Sequence, residues 1–183
     1  ARTMYWKEEA ALKLKRKNKI LFGKDSECLR DLICLLSRQS HAVAVLWALE
    51  FADRSVTELE NKYAGEKRPR EALDAARSWA AGNIGMRFAQ RKILDCHALA
   101  KEIESKEDIA VCHAVGQACS TVHTAGHAIG FPIYDLTAVI YKYGLENSTA
   151  AVERRLNEYE ERLIFYEKHI KDYKGQWAAF ILR

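Results

Sequence analysis

Cys112, Gly116, Cys119, His123 and the Gly126–His127 pair recur at intervals of three and four residues. On a helix that spacing gathers them on one side. A thiolate and two imidazoles, from Cys119, His123 and His127, could then be aimed along one edge, and these are donors that zinc accepts. A fourth ligand would have to come from another helix, with Cys96 and His97 the evident sources, because His113 lies away from His123 around the helix. No acidic residue is interposed as in HExxH, so a metalloprotease base is missing. Ser120 precedes His123 by three residues, but a nucleophile and base on one helix lack an oxyanion device and an orienting carboxylate. Gly116, Gly126 and Gly130 suit another purpose, the close approach of two helices. The stripe is therefore read as a dry helix crossing. Cys119, His123 and His127 are kept as candidate metal ligands, and no catalytic residue or cofactor is expected.

Other polar residues read as architecture. Glu50 and Asp53 end an apolar run and would be costly to bury without partners. Arg68, Arg70 and Arg77 lie across a short break, and helices joined by a short loop usually pack together. Bidentate arginine–carboxylate contacts would lock that hairpin. The chain contains no GxGxxG, P-loop, GxSxG or CxxC motif.

Helical signals run through the whole chain. Thr3 can cap a first helix to about Lys17. Asp25 or Ser26 can cap a second, carrying Leu29, Leu32, Ile33 and Leu36, and Ser40 opens a third that ends near Tyr63. The first half of the third helix is apolar nearly all round, which places it at the centre of the fold. Pro69 suits the first turn of a fourth helix, with Ala72, Ala75, Ala76 and Trp79 on one face. Asn83 can cap a fifth, running to about Ser105. Ser105 or Lys106 opens the cysteine–histidine helix, which Gly130 and Pro132 terminate. A shorter helix spans Pro132 to Tyr143 and stops at Gly144. In the last, from Ser148 to Tyr173, Val152, Leu156, Tyr159, Leu163, Tyr166, Ile170 and Tyr173 alternate by four and three, a stripe that packs along one neighbour. The apolar stretch Trp177–Leu182 is expected to dock on the body.

Bulk properties agree. The 183 residues are 49% hydrophobic and 30% charged, with two prolines and nine glycines, too little turn chemistry for a many-stranded sheet. The longest apolar run, Ala42–Leu49, is far short of the roughly 20 residues needed to span a bilayer. The opening stretch Ala1–Glu9 has no apolar signal-peptide core. Five cysteines without a CxxC pair read as buried thiols in a reducing compartment, so the expected location is cytoplasmic. Residues 1–24 hold eight Lys/Arg against two Asp/Glu. The block Lys13–Lys19 could touch nucleic acid, but no aromatic–basic platform accompanies it, and it is read as a solvated helix end.

Three segments together resemble a known family: Trp47-Ala-Leu-Glu-Phe-Ala-Asp53, Lys67-Arg-Pro-Arg-Glu-Ala-Leu-Asp-Ala-Ala-Arg-Ser-Trp-Ala-Ala-Gly82, and Ala114-Val-Gly-Gln-Ala-Cys-Ser-Thr-Val-His-Thr-Ala-Gly-His-Ala-Ile-Gly130. They are similar to immunity proteins of bacterial polymorphic-toxin systems, in which a helical cytoplasmic protein binds and neutralises a cognate toxin domain. The likeness covers residues 40–145 in matching order. It implies an α-helical fold and a non-catalytic binder, and it brings no catalytic residue set with it. The family usually shows alanine-rich helices, whereas this chain places Cys112, Cys119 and Phe131 in that region.

The expected molecule is all-α: a single-domain bundle of about seven or eight helices over residues 1–183. Residues 1–24 form a basic N-terminal helix, and 148–183 form a C-terminal helix and tail outside the family-like region. The expected function is stoichiometric occlusion of a toxin by a monomer or homodimer, with no nucleic acid or membrane as partner. For a basic toxin, Glu153, Glu158, Glu160 and Glu161 offer an acidic face on the last helix. The alternative is a helical metal-binding protein or metal-dependent enzyme using Cys119, His123 and His127.

Overall fold

The helix from His41 to Lys62 (α3) sits where an all-round apolar sequence must. In its first half Ala42–Val45 and Trp47–Leu49 are buried, followed by Phe51 and Ala52. Ser40 starts it, its hydroxyl accepting from the Val43 N–H at 3.2 Å, and so satisfies one of the otherwise orphaned donors of the first turn. In a computed structural model that describes residues 2–183, with side chains from Tyr5 onward, seven further α-helices are arranged around or beside it. They are α1 (Arg2–Lys15), α2 (Arg30–Ser37), α4 (Arg68–Ala80), α5 (Met86–Leu99), α6 (Lys106–Ser120), α7 (Gly130–Tyr143) and α8 (Thr149–His169). There is no strand among the described residues, so the fold is all-α. Thr3 falls within α1, and its expected capping side chain lies outside the described residues.

α3 packs on α6, α4 and α8, while α4 pairs with α5 and α6 with α7. The centre is aromatic. Trp47, Phe51, Phe131 and Tyr159 meet at ring-centroid separations of 5.2 to 6.3 Å, mostly edge to face. The Trp47 indole N–H donates to the Tyr159 carbonyl at 2.9 Å, satisfying the polar edge of a fully buried ring. Val152, Leu156, Tyr159 and Leu163 of α8 are buried as the heptad stripe requires. Tyr166 and Ile170 are only partly covered, and Tyr173 is 41% exposed. That stripe packs within the chain, against α3, α2 and α7.

Several expected boundaries move. The fifth helix is capped by Gly85 and ends at Leu99; Asn83 instead accepts from Gln176. Ser26 does not cap a helix with its side chain, since its hydroxyl donates to Glu9 and accepts from the Gly23 N–H. The largest change concerns α6. It stops at Ser120 instead of continuing to Gly130, which opens α7 with Pro132 in its first turn. Ser120 and Thr121 bond back to the carbonyls of Gly116 and Gln117, the competition by which short hydroxyl side chains weaken a helix end. Cys28, Cys96, Cys112 and Cys119 are buried and outside any disulfide, but Cys34 is exposed. Two residues from buried Leu32, it points to the other side of α2.

The tail docks as expected. Ala178 N–H donates to the Ala80 carbonyl at 2.7 Å, and Ile181 is buried. Gly82, at φ +83, lies with its Cα-side surface against Ala178, a backbone conformation and proximity that favour glycine.

Candidate functional site

The cysteine–histidine stripe divides at the end of α6. Cys119 is fully buried on the helix, while His123 lies in the turn after it and His127 in the short 3-10 segment Ala125–Ile129; both histidines are exposed. His123 Nδ1 is 2.8 Å from the Thr124 hydroxyl, and its ring lies 6.1 Å from Trp79. Among the described residues no three His, Cys, Asp or Glu side chains are grouped as one ion would require. Burial pushes the Cys119 and Cys112 thiols up to about 12 and raises Cys96 as well. Such thiols stay protonated near neutrality and are poor nucleophiles and ligands.

Two glycines on and beside the stripe make close approaches: a Cβ on Gly130 would stand 2.4 Å from the Gln117 side chain, and Gly116 lies against another helix. A Cβ there would stand 2.2 Å from His97 Nε2, so the missing side chain leaves room for an imidazole at the α5–α6 crossing. The His97 ring also stacks on His113 at 5.0 Å between centroids, Nδ1 to Nδ1 at 2.7 Å. One of those nitrogens must donate and the other accept, so the contact suits a pair of neutral rings. Burial, then the His113 charge, lowers His97 to about 4; burial, then Lys19, lowers His113. Beneath them Cys96 Sγ lies 3.6 Å from the Cys112 carbonyl oxygen. Sequence reasoning missed this pairing, although the tripeptide Cys-His-Ala occurs at 96–98 and again at 112–114.

The carboxylates are structural ties. Asp53 meets Arg70 at 2.7 Å and Arg77 at 3.6 Å, as the hairpin reading expects. Glu50 turns instead to α8, where Arg162 bonds both its oxygens at 2.6 and 2.9 Å and Tyr166 donates at 2.7 Å. Arg68 binds Glu66 and Glu102. Buried Asp135 on α7 accepts from Arg155 and Tyr159 of α8, at the edge of a polar cleft of about 270 Å³. These contacts satisfy buried charge and fix α7 and α3 to α8. On the expected acidic face of α8, Glu158 is held by Arg54 at 2.7 Å.

A groove lies open beside the docked tail. About 730 Å³ in volume, it is lined by Trp79, Ile84, Met86, His123, Trp177 and Phe180 among others, with the docked tail as one wall. A second hollow of about 220 Å³, bordered by Leu94, His97 and His127, shares Trp79 and His123 with it. His127 is lowered by partial burial, then by the charges of His123 and Lys24. Aromatic, sulfur and imidazole side chains lining a shallow hollow suit the capture of another molecule's side chains better than bond-breaking chemistry.

Residues 34–162, from α2 into α8, match the family described as "Imm-5 like putative immunity protein". No curated protein and no solved structure matches the chain.

Proposed function

This chain belongs to the Imm-5 like immunity protein family, and we propose from that premise that it binds one cognate bacterial toxin domain in the cytoplasm and neutralises it by covering the toxin's working surface. The family match is the observation that carries the reading, because it spans the scaffold from α2 to α8. The physical features are compatible with it. Occlusion requires a rigid body and a complementary surface, with no turnover by the binder. Rigidity here comes from the aromatic centre and from the Glu50–Arg162 and Asp135–Arg155 ties. No helix among the described residues is long and apolar enough to cross a membrane, so nothing in them diverts the molecule from a partner in solution.

The test is co-expression. Cells producing the toxin domain encoded beside this chain should survive when the chain is produced with it, and the two should elute together in size-exclusion chromatography. Death of the co-expressing cells, with both proteins present at comparable levels, contradicts the proposal.

A further inference from the structure

One surface side chain of α5 serves the fold, Lys92, which pairs with Glu71 of α4 at 3.1 Å and lies over the Phe88 ring. The helix already spends Ala89, Ile93, Cys96 and Leu99 on the core. Its remaining arc nevertheless carries Met86, Phe88 and Leu94, which are 47%, 48% and 66% exposed. Met86 and Leu94, two turns apart, lie on one edge of the helix, and each borders one of the two hollows joined at Trp79 and His123. The result is a largely apolar strip running from the tail's Trp177 to Leu94, crossed midway by the exposed side chain of Gln90. Next to it on α5 stand Arg87 and Arg91, exposed and one turn apart. They have no ion pair among the described residues, whereas Arg54, Arg68, Arg70, Arg77, Arg155 and Arg162 are each held by a carboxylate. Arg38 and Arg154, the other arginines of the matched stretch without an ion pair among the described residues, lie elsewhere, in the turn after α2 and on α8.

We propose that the α5 face and the Trp79 groove are the docking surface for the toxin, and that the toxin meets them with an apolar anchor flanked by carboxylates. This rests on the function proposed above and names the partner's chemistry. A strip of Trp, Met and Leu edged by free arginine has the composition of an interface centre, and two uncommitted guanidiniums are completed by carboxylates in bidentate geometry. A second copy of this chain is the weaker occupant. In a two-fold dimer the patch meets itself, and the arginines of one copy would face those of the other. Nucleic acid would engage the arginines but leave Met86 and Leu94 without a use. With an acidic partner, the α8 carboxylates expected to meet a basic toxin are not the recognition face.

The experiment measures binding of the full-length chain to the purified toxin domain encoded beside it, by biolayer interferometry at several salt concentrations. Met86→Asp with Leu94→Asp should raise Kd by at least about 100-fold. Arg87→Glu with Arg91→Glu should slow association by about tenfold or more at low salt and remove its salt dependence. Glu153→Lys with Glu161→Lys on α8 should change Kd by no more than about twofold. All six positions are exposed, and unchanged circular dichroism and thermal midpoints establish that the variants fold. If wild-type chain binds the toxin and the α5 variants bind equally well, the docking surface is overturned while the function stands. If wild-type chain neither binds nor protects, both fall. Duplex DNA captured by wild type and lost in Arg87→Glu with Arg91→Glu, or a dimer dissolved by Leu94→Asp, would also overturn the assignment.

Discussion

A stacked pair of imidazoles inside a helix crossing ties stability to protons. His97 is lowered to about 4 by burial and then by the charge of His113, which burial lowers too. A folded-state value below the unfolded one means that the unfolded chain binds more protons in the interval between them. The pair's contribution is therefore complete above about pH 6.5 and is lost as pH falls from there through about 4. Urea unfolding should show a lower midpoint at pH 5 than at pH 7, and His97→Gln with His113→Gln should shrink that difference to the share left by His127, which is lowered as well. Equal midpoints at the two pH values in the wild-type chain would contradict the neutral-pair assignment. Glu50, Asp53 and Glu66 also have lowered values, the last two chiefly through bonds to arginine. Their linkage sets in as pH falls into the ordinary carboxylate range and runs below it, so most of it lies beneath the pH 5 to 7 interval that reports the histidines. Little of this was legible in the sequence. Burial of Cys119 follows from its helical spacing, but the partner of His97 depends on how α5 and α6 meet. Glu50 chooses Arg162, 112 residues away, because α8 lies along α3, a tertiary fact that neighbourhood reasoning replaced with a nearby hairpin.

At the scale of elements, the starts and stops set by local chemistry were readable. Ser40 and Ser105 cap α3 and α6 through bonds to the amides of Val43 and Asp108. Gly144, at φ +80, ends α7, where a residue without Cβ is favoured. The end of α6 was harder to place because no glycine or proline marks Ser120. The signal present was the run Ser120-Thr121-Val122-His123-Thr124, whose hydroxyl and β-branched side chains favour a turn over helix. The periodicity of the glycines and histidines beyond it outweighed that cue. The seam expected from the stripe nevertheless exists at Gly116, where an imidazole from α5 occupies the space a side chain would take. Gly116→Ala should cost about 1–3 kcal/mol, since His97 and the helix backbone must both move. A lowered guanidinium midpoint with unchanged helical content would be the expected result. An unaltered midpoint would mean that the crossing is looser than the 2.2 Å approach implies.

For the whole molecule, the all-α class and the central helix followed from pattern and composition, because a helix apolar on every side has one stable location. The interaction face did not. Exposed Leu94 and uncommitted Arg87 look ordinary in sequence, and they become distinctive only beside a groove built by α4, the turn after α6 and the tail. A body held together by aromatic packing and internal ion pairs, with protonated thiols and one apolar strip, is suited to act by contact. Contact and turnover differ in stoichiometry. Titrating a fixed concentration of the cognate toxin domain, well above Kd, with the full-length chain and measuring residual toxin activity separates them. The account predicts a linear fall to zero at one equivalent, with the toxin recovered intact and active after the complex is dissociated in denaturant and refolded. Complete inactivation by a small fraction of an equivalent, leaving a chemically altered toxin, would contradict it.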